Sequence, residues 1–413
     1  MAIITLIPLL AAADPGAGGF FGVRALWQSA RSIAAENPAD SKVAFDQAVA
    51  ASPGNNGLLL SATSAALRAH DPARARLLLT RFAAQGGTAS EENAVAIAAE
   101  LGEAASDPLF ISLAANRAPV ARGKPWAMLP PAIRLIEGVA YDDRHQAAYV
   151  SSVVDRTLYR IDGKGAVSVA LRLPPDFGSP LALAIDPRHR LLWAALDPKA
   201  PGGSGVGGLL KLSLDTRAHA LVPGPAGEAL SIGDVAVGAD GTAFAADGRS
   251  GGVYRCRPGC KALETLLAPG LLRSAQGMVV SPDGKRLYVA DYAYGIAIVD
   301  LATGSARPLA TAPGVAIDGL DGLVWSNGRI VAVQNGWRPA RVIAIDLDRA
   351  GTTAMVTRVI ARAGTISDPT QVSRQPGGAL LIVANAQWDR YENVAAPRDV
   401  AQKQTVLLRL PAQ

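Results

Sequence analysis

Two hydrophobic periodicities divide the chain. Up to about residue 118, apolar positions recur at helical spacing in Ala-rich stretches: "VRALWQSARSIAAEN", "SKVAFDQAVAAS", "NGLLLSATSAALRAH", "DPARARLLLTRFAAQG" and "SEENAVAIAAELGEAA". Pro, Gly and capping residues in "NPAD", "SPGN", "HDPA" and "QGGTASEE" punctuate them. This predicts an all-α region over residues 20–118. Its short antiparallel helices are loosely tetratricopeptide-like, although Leu or Ala fills most of the usual aromatic positions. An unspecialised array of helical hairpins reads equally well. No acid, base or nucleophile clusters there, so packing or protein-partner binding is the expected role. "ANRAPVARGKP" reads as a linker around residues 119–125.

From Trp126 to the end the period falls to two. Strands such as "AAYVSSV", "LLWAAL", "RLYVAD" and "RIVAVQN" alternate with Gly, Pro, Asp and Asn turns. One unit recurs six times, opening at Glu137, Leu181, Gly233, Gln276, Asp321 and Pro369, at spacings of 43 to 52 residues. Six four-stranded units of this length predict an all-β, six-bladed β-propeller. "AMLPPAIRLI", ahead of Glu137, can supply the outer strand of the last blade and close the ring. Residues 121–413 are then expected to fold as a propeller without the helices.

In such a ring the first strand of each blade lines the axis. The six opening residues would therefore encircle one mouth of the channel. The loops after each second strand return to the same face. They bring Asp291, Tyr292, Arg249, Asn335, Trp337, Arg338, Asn385 and Trp388 to the rim. Trp337 and Trp388 would either stack a ligand or cap blade edges. All four histidines fall elsewhere: His145, His189 and His219 in turns of the far face, and His70 among the helices. A His-based triad or dyad is not expected.

"EGVAYD", "AQGMVV" and "LDGLVW" carry a resemblance to the regucalcin–gluconolactonase family, spanning about residues 125–413. Those proteins are six-bladed propellers that bind a divalent cation on the axis and hydrolyse sugar lactones or related esters. The resemblance implies metal ligation by Glu137, Gln276 and Asp321. Asp321 also matches the position proposed as the base, and Asp291 is a second candidate for that role. Gln276 replaces the family's ligand Asn with a side chain one methylene longer. Gly233 stands where the family often has an Asn beside the substrate. Carboxylate and amide oxygens suit Ca²⁺ or Mg²⁺. The resemblance further implies a small-molecule substrate, for which the rim position offers Asn335, Trp337, Arg338, Tyr292, Arg249, Asn385 and Trp388 as candidate contacts. Two other readings stand beside it. Glu137 and Asp321 could be solvated carboxylates at a channel mouth. The whole chain could be a non-catalytic propeller that binds a partner.

Composition narrows the setting. The chain has 413 residues, 49% apolar and 18% charged, with a net charge of +5. That is globular composition, and the arginines are scattered without basic runs or interleaved aromatics, which excludes a nucleic-acid surface. "MAIITLIPLLAAADPG" is apolar and ends in small residues, but lacks a basic start. It predicts a secretory signal over residues 1–14, cut near Ala13, and hence a periplasmic or secreted protein. The alternative is a buried N-terminal segment. No other stretch is long and apolar enough to span a membrane. Cys256 and Cys260 flank "RPG", a turn sequence. They either close a small disulfide, which suits export, or stay free thiols.

Overall fold

The computed structural model describes residues 18–33, 37–104, 106–120, 122–391 and 402–412. The expected signal segment lies outside them. Six helices come first: α1 (Gly18–Ile33), α2 (Pro38–Ala51), α3 (Asn56–Arg68), α4 (Pro72–Ala84), α5 (Glu91–Leu101) and α6 (Pro108–Ala115). The punctuating residues cap them as expected. Side chains of Asn37, Asn55, Asp71 and Ser90 accept from backbone N–H groups in the first turns of α2, α3, α4 and α5. Helix α6 was not among the five helical stretches read from the sequence. Its own "DP" signal starts it, with Asp107 accepting from Leu109 N at 2.8 Å. Leu58, Leu59, Leu78, Phe82, Leu109 and Leu113 form the buried seam of this unit.

Six antiparallel sheets follow. Blade 1 is built from Ile136–Asp142, Ala147–Ser152, Thr157–Ile161 and Val167–Arg172. Blades 2 to 4 repeat the order, beginning with Ser179–Asp186, Ile232–Val237 and Ala275–Val280. Blade 5 begins with Leu323–Ser326 and gains a fifth strand, Ala310–Thr311, paired parallel to Thr353–Arg362. Blade 6 begins with Val372–Arg374 and takes its outermost strand from before blade 1: Lys124–Leu129 pairs antiparallel with Thr405–Leu410. The ring closes as the sequence predicts, with the closing strand starting at Lys124, two residues before the expected boundary. The linker is tied down just ahead of it, where Val120 and Arg362 exchange backbone hydrogen bonds of 2.9 and 3.1 Å.

The strand patterns differ from strict alternation in an informative way. The second strands Ala147–Ser152, Ala243–Asp247 and Leu380–Val383 are buried at every position. Each blade is packed on both faces by its neighbours, so these strands read as continuous apolar runs. The outer strand Val167–Arg172 has no buried residue.

The helical unit docks on the propeller rather than standing apart. Asn55 Nδ2 donates to Ala293 O at 2.7 Å, and Asn56 N to Asp318 Oδ2 at 3.1 Å. Phe82 of α4 stacks on Trp337, with centroids 6.1 Å apart, and Trp27 of α1 meets Tyr294 edge-on at 5.9 Å. Arg341 ties the two parts together. Its guanidinium lies 3.7 Å above the Trp337 ring and donates to Gln334 Oε1 at 2.6 Å. It also reaches Gln85 O and Gly86 O at 3.3 and 3.4 Å.

Candidate functional site

A β-bulge opens the inner strands of blades 1 to 4. In blade 1, for example, the register shifts between Ile136 and Val139. Such a bulge re-aims side chains and turns successive residues towards the axis. This explains the glycine in the "EG", "QG" and "DG" pairs. A Cβ on Gly277 would stand 1.9 Å from Asp321 O, and one on Gly138 would stand 2.4 Å from Leu181 O. The next blade's backbone occupies that space. The Asp321 peptide packs against Gly277, its N–H donates to Val333 O at 2.9 Å, and its side chain is left at the mouth.

Glu137 and Asp321 face each other electrostatically across that mouth. Burial pushes both carboxyls up, and the charge of Asp321 pushes Glu137 well above the carboxylate range. Asp321 is raised to about 7, with Asp368 adding to the effect of burial and the hydrogen bond from Asn335 opposing it. Neither has an ion-pair partner among the described residues, and each has one side-chain donor. Trp388 Nε1 donates to Glu137 Oε2. Asn335 Nδ2 donates to Asp321 Oδ2 at 2.7 Å and to Pro369 O at 3.0 Å. Asn335 is held in turn by Tyr292, whose hydroxyl donates to its Oδ1 at 2.9 Å. Arg338 stands exposed at the rim and donates to Asn335 O at 2.6 Å.

Gln276 shows how the longer amide fits. Its Nε2 donates to Ser274 Oγ at 3.0 Å, and Oε1 lies 3.7 Å from where a Cβ on Gly233 would be. The space left by Gly233 takes up the extra methylene. No donor among the described residues reaches Gln276 Oε1.

Two expected site residues, Asp291 and Trp337, turn away from the axis, and two, Asn385 and Arg249, are engaged with neighbouring segments. Asp291 is fully buried and turned into its own loop, accepting from Arg273 N at 2.7 Å. Burial raises it to about 6, but it belongs to the contact with the helices, not to the axis. Trp337 is 2% exposed and sandwiched between Phe82 and Arg341, so it serves the interface and not a ligand. Asn385 spends its amide on Gln404 O and Val406 N, at 2.9 and 2.7 Å. Arg249 pairs loosely with Asp197 at 3.7 Å. Trp388 resolves the other way: it neither stacks outward nor merely caps a blade, because its indole N–H holds Glu137.

Three axial residues escaped the sequence reading. Asp368 precedes Pro369, is raised by burial, and accepts from Trp388 N at 2.7 Å. Asp234 and Gln371 occupy the position where blades 1, 4 and 5 have Gly138, Gly277 and Gly322. Gln371 Oε1 accepts from Val139 N at 2.8 Å and Leu183 N at 3.0 Å, bridging blade 6 to blades 1 and 2. Asp234 accepts from the N–H groups of Met278 and Val235. A polar side chain where sister repeats carry glycine was the available signal. The histidines sit as expected, His145 and His189 pinned to Asp142 and Asp186 at 2.8 and 2.6 Å in far-face turns.

Cys256 and Cys260 are disulfide-bonded, with Cα atoms 5.5 Å apart. For a cation, the donor chemistry on the axis fits a hard, oxygen-seeking ion. It offers two carboxylates without ion-pair partners and one amide oxygen without a donor. Among the described residues, no group of three or more His, Cys, Asp or Glu side chains forms a metal cage. Any ion held here relies on the amide of Gln276.

No family model matches the sequence, and no curated protein matches it. Solved structures do. A gluconolactonase from Xanthomonas campestris is 19% identical, with 72% of this chain and 93% of that chain covered and a TM-score of 0.49. A calcium-binding regucalcin from Agrobacterium tumefaciens is 17% identical over 69% and 95% of the two chains, with a TM-score of 0.47. A PQQ-bound aldose sugar dehydrogenase from Streptomyces coelicolor is 16% identical over 71% and 99%, also with a TM-score of 0.47. Strand pairing alone fixes the architecture: the chain is a six-bladed β-propeller preceded by a helical unit.

Proposed function

We propose that the protein is an exported, divalent-metal-dependent hydrolase of a lactone or related ester. The observation that carries this reading is the axial pair Glu137 and Asp321: two carboxyls at a channel mouth, both raised by burial, Glu137 also by the charge of Asp321, and without a basic partner among the described residues. Mutually repelling carboxylates are costly to hold together unless a proton or a cation neutralises them. Glu137, Asp321 and Gln276 would hold the ion, Ca²⁺ or Mg²⁺ by its oxygen donors. When bound, such an ion polarises the ester carbonyl and acidifies a water. Asp321 would take the proton of the attacking water and return it to the leaving alkoxide. Asn335 fixes the base, and Tyr292 fixes Asn335. Trp388 orients Glu137, and Arg338 offers the rim a positive charge for the substrate's polar groups.

The test is hydrolysis of a panel of sugar lactones, each with chelator and with Ca²⁺, Mg²⁺, Mn²⁺ or Zn²⁺. Metal-dependent turnover is expected, and Asp321→Asn should lose about 10²-fold or more in kcat. If no lactone is turned over and no ion shifts the melting temperature, the reading fails. Export has its own check. The disulfide agrees with an oxidising compartment. Mass spectrometry of native protein should find a chain starting near Ala13 or Asp14 without free thiol. An intact Met1 with two alkylatable thiols would place the protein in the cytoplasm.

A further inference from the structure

The far mouth of the channel holds a second site, unconnected to the proposed hydrolase chemistry. There the inner strands enclose a funnel of about 650 Å³, within the range of small-ligand pockets. Its wall presents partly exposed apolar side chains from five blades: Tyr141, Ile185, Val237, Val280, Val324 and Trp325. Its floor is Asp234 and Gln371, which are 5% and 7% exposed. Their hydrogen bonds to backbone N–H groups of blades 1 to 4 staple the ring shut between the two mouths.

The rim decides what would enter. It carries Arg144, Arg190 and Arg374 against Asp142 and Asp143. Asp142 is spent, gripped by Arg190 at 3.0 and 3.1 Å and by His145. Asp143 feels the charge of Arg374 but forms no ion pair. Arg144 and Arg374 are exposed, and neither guanidinium has a partner among the described residues. The polar groups are thus layered: a buried carboxyl at the floor, apolar walls, and at the lip the two exposed guanidinium groups of Arg144 and Arg374 against the one unpaired carboxyl of Asp143. The floor carboxyl, raised well above the carboxylate range by burial, offers an anionic head no counter-charge, whereas the lip attracts it and the walls gain by covering a hydrocarbon tail.

We propose that this funnel binds a linear amphipathic carboxylate, tail inward against the ring and head on Arg144 and Arg374. The test is calorimetry on the full-length protein with octanoate, acetate and octyltrimethylammonium. Octanoate should bind once per chain, acetate should not, and the cation should bind at least about tenfold more weakly than octanoate. Arg144→Glu with Arg374→Glu should weaken octanoate at least about tenfold while leaving the melt unchanged, since both side chains are exposed and unbonded. Val237→Phe, which narrows the funnel at a partly exposed wall position without touching the rim arginines, should abolish binding. Asp321→Asn should leave it intact, which separates this site from the other mouth. Absence of octanoate binding, equal binding of acetate or of the cation, or indifference to rim charge reversal would each overturn the proposal.

Discussion

Asp321 sets the pH behaviour of the candidate site. Its carboxyl moves from an ordinary 3.8 to about 7 on folding, mainly through burial. The folded state therefore holds a proton that the unfolded chain has already released between those values. By linkage, this stabilisation is complete below about pH 4 and is lost as pH rises towards 7. Glu137 and Asp234, also raised, act in the same direction. In chelator, the melting temperature should fall from pH 4 to 7, and Asp321→Asn should make that fall shallower. Ca²⁺ at pH 8 should restore stability to the wild type and not to the variant. Equal slopes for the two proteins would remove Asp321 from the account.

At the scale of elements, the helices act on the site through the loops they clamp. Loops 291–295 and 335–341 each touch the helical unit at one end and the axial cluster at the other. Tyr292 and Asn335 share those loops with Tyr294, Trp337 and Arg341. Arg341 is 3% exposed, and burial lowers it to about 9. Arg341→Met leaves Gln334 Oε1 and the Gln85 and Gly86 carbonyls without a donor, and should cost about 3 kcal/mol in urea denaturation. Asn55 both caps α3 and donates to Ala293 O, whereas Ser90 only caps α5. Ser90→Ala should therefore cost about 1 kcal/mol and Asn55→Ala about 2. Equal costs would mean that the bond between the two parts contributes nothing.

For the whole molecule, closure and docking are separate matters. The ring closes through Lys124–Leu129, so residues 119–413 contain every strand. Without the helices, however, Trp337, Val315 and Ile317 lose cover, and Asp318 loses the Asn56 N–H. That fragment should keep its β-sheet circular dichroism but melt several degrees below the full chain. Removing 124–129 as well leaves Thr405–Leu410 as an open edge and should bring aggregation. A fragment that melts with the full chain would make the helices mere passengers.

How much the sequence alone settled depends on the range of the interaction. Helix caps, turn residues and strand runs are local, so Asn55, Asp71 and Ser90 were legible as helix starts. The repeat made the blade count legible too, because each blade re-uses one pattern. The repeat also placed Glu137, Gln276 and Asp321 at one mouth, since equivalent positions in a ring share a face. Contacts between blades, or between helices and propeller, left no such trace. Trp337 and Asn335 lie two residues apart in one rim loop, yet one packs on Phe82 and the other holds Asp321. Asp291 and Asp321 are both raised, the first fully buried and the second half-buried, but only Asp321 faces Glu137. Asp234 was hidden because a bulge, not strand alternation, points it at the axis, and Gln371 because its partners, Val139 N and Leu183 N, lie in other blades. A bulge is fixed by pairing across the sheet and by the backbone of the next blade. The sequence by itself determined the two-part architecture, the blade count and the placement of Glu137, Gln276 and Asp321 at one mouth of the axis. The tertiary structure decided which rim side chains turn inward, because burial and partner choice arise only when distant segments meet.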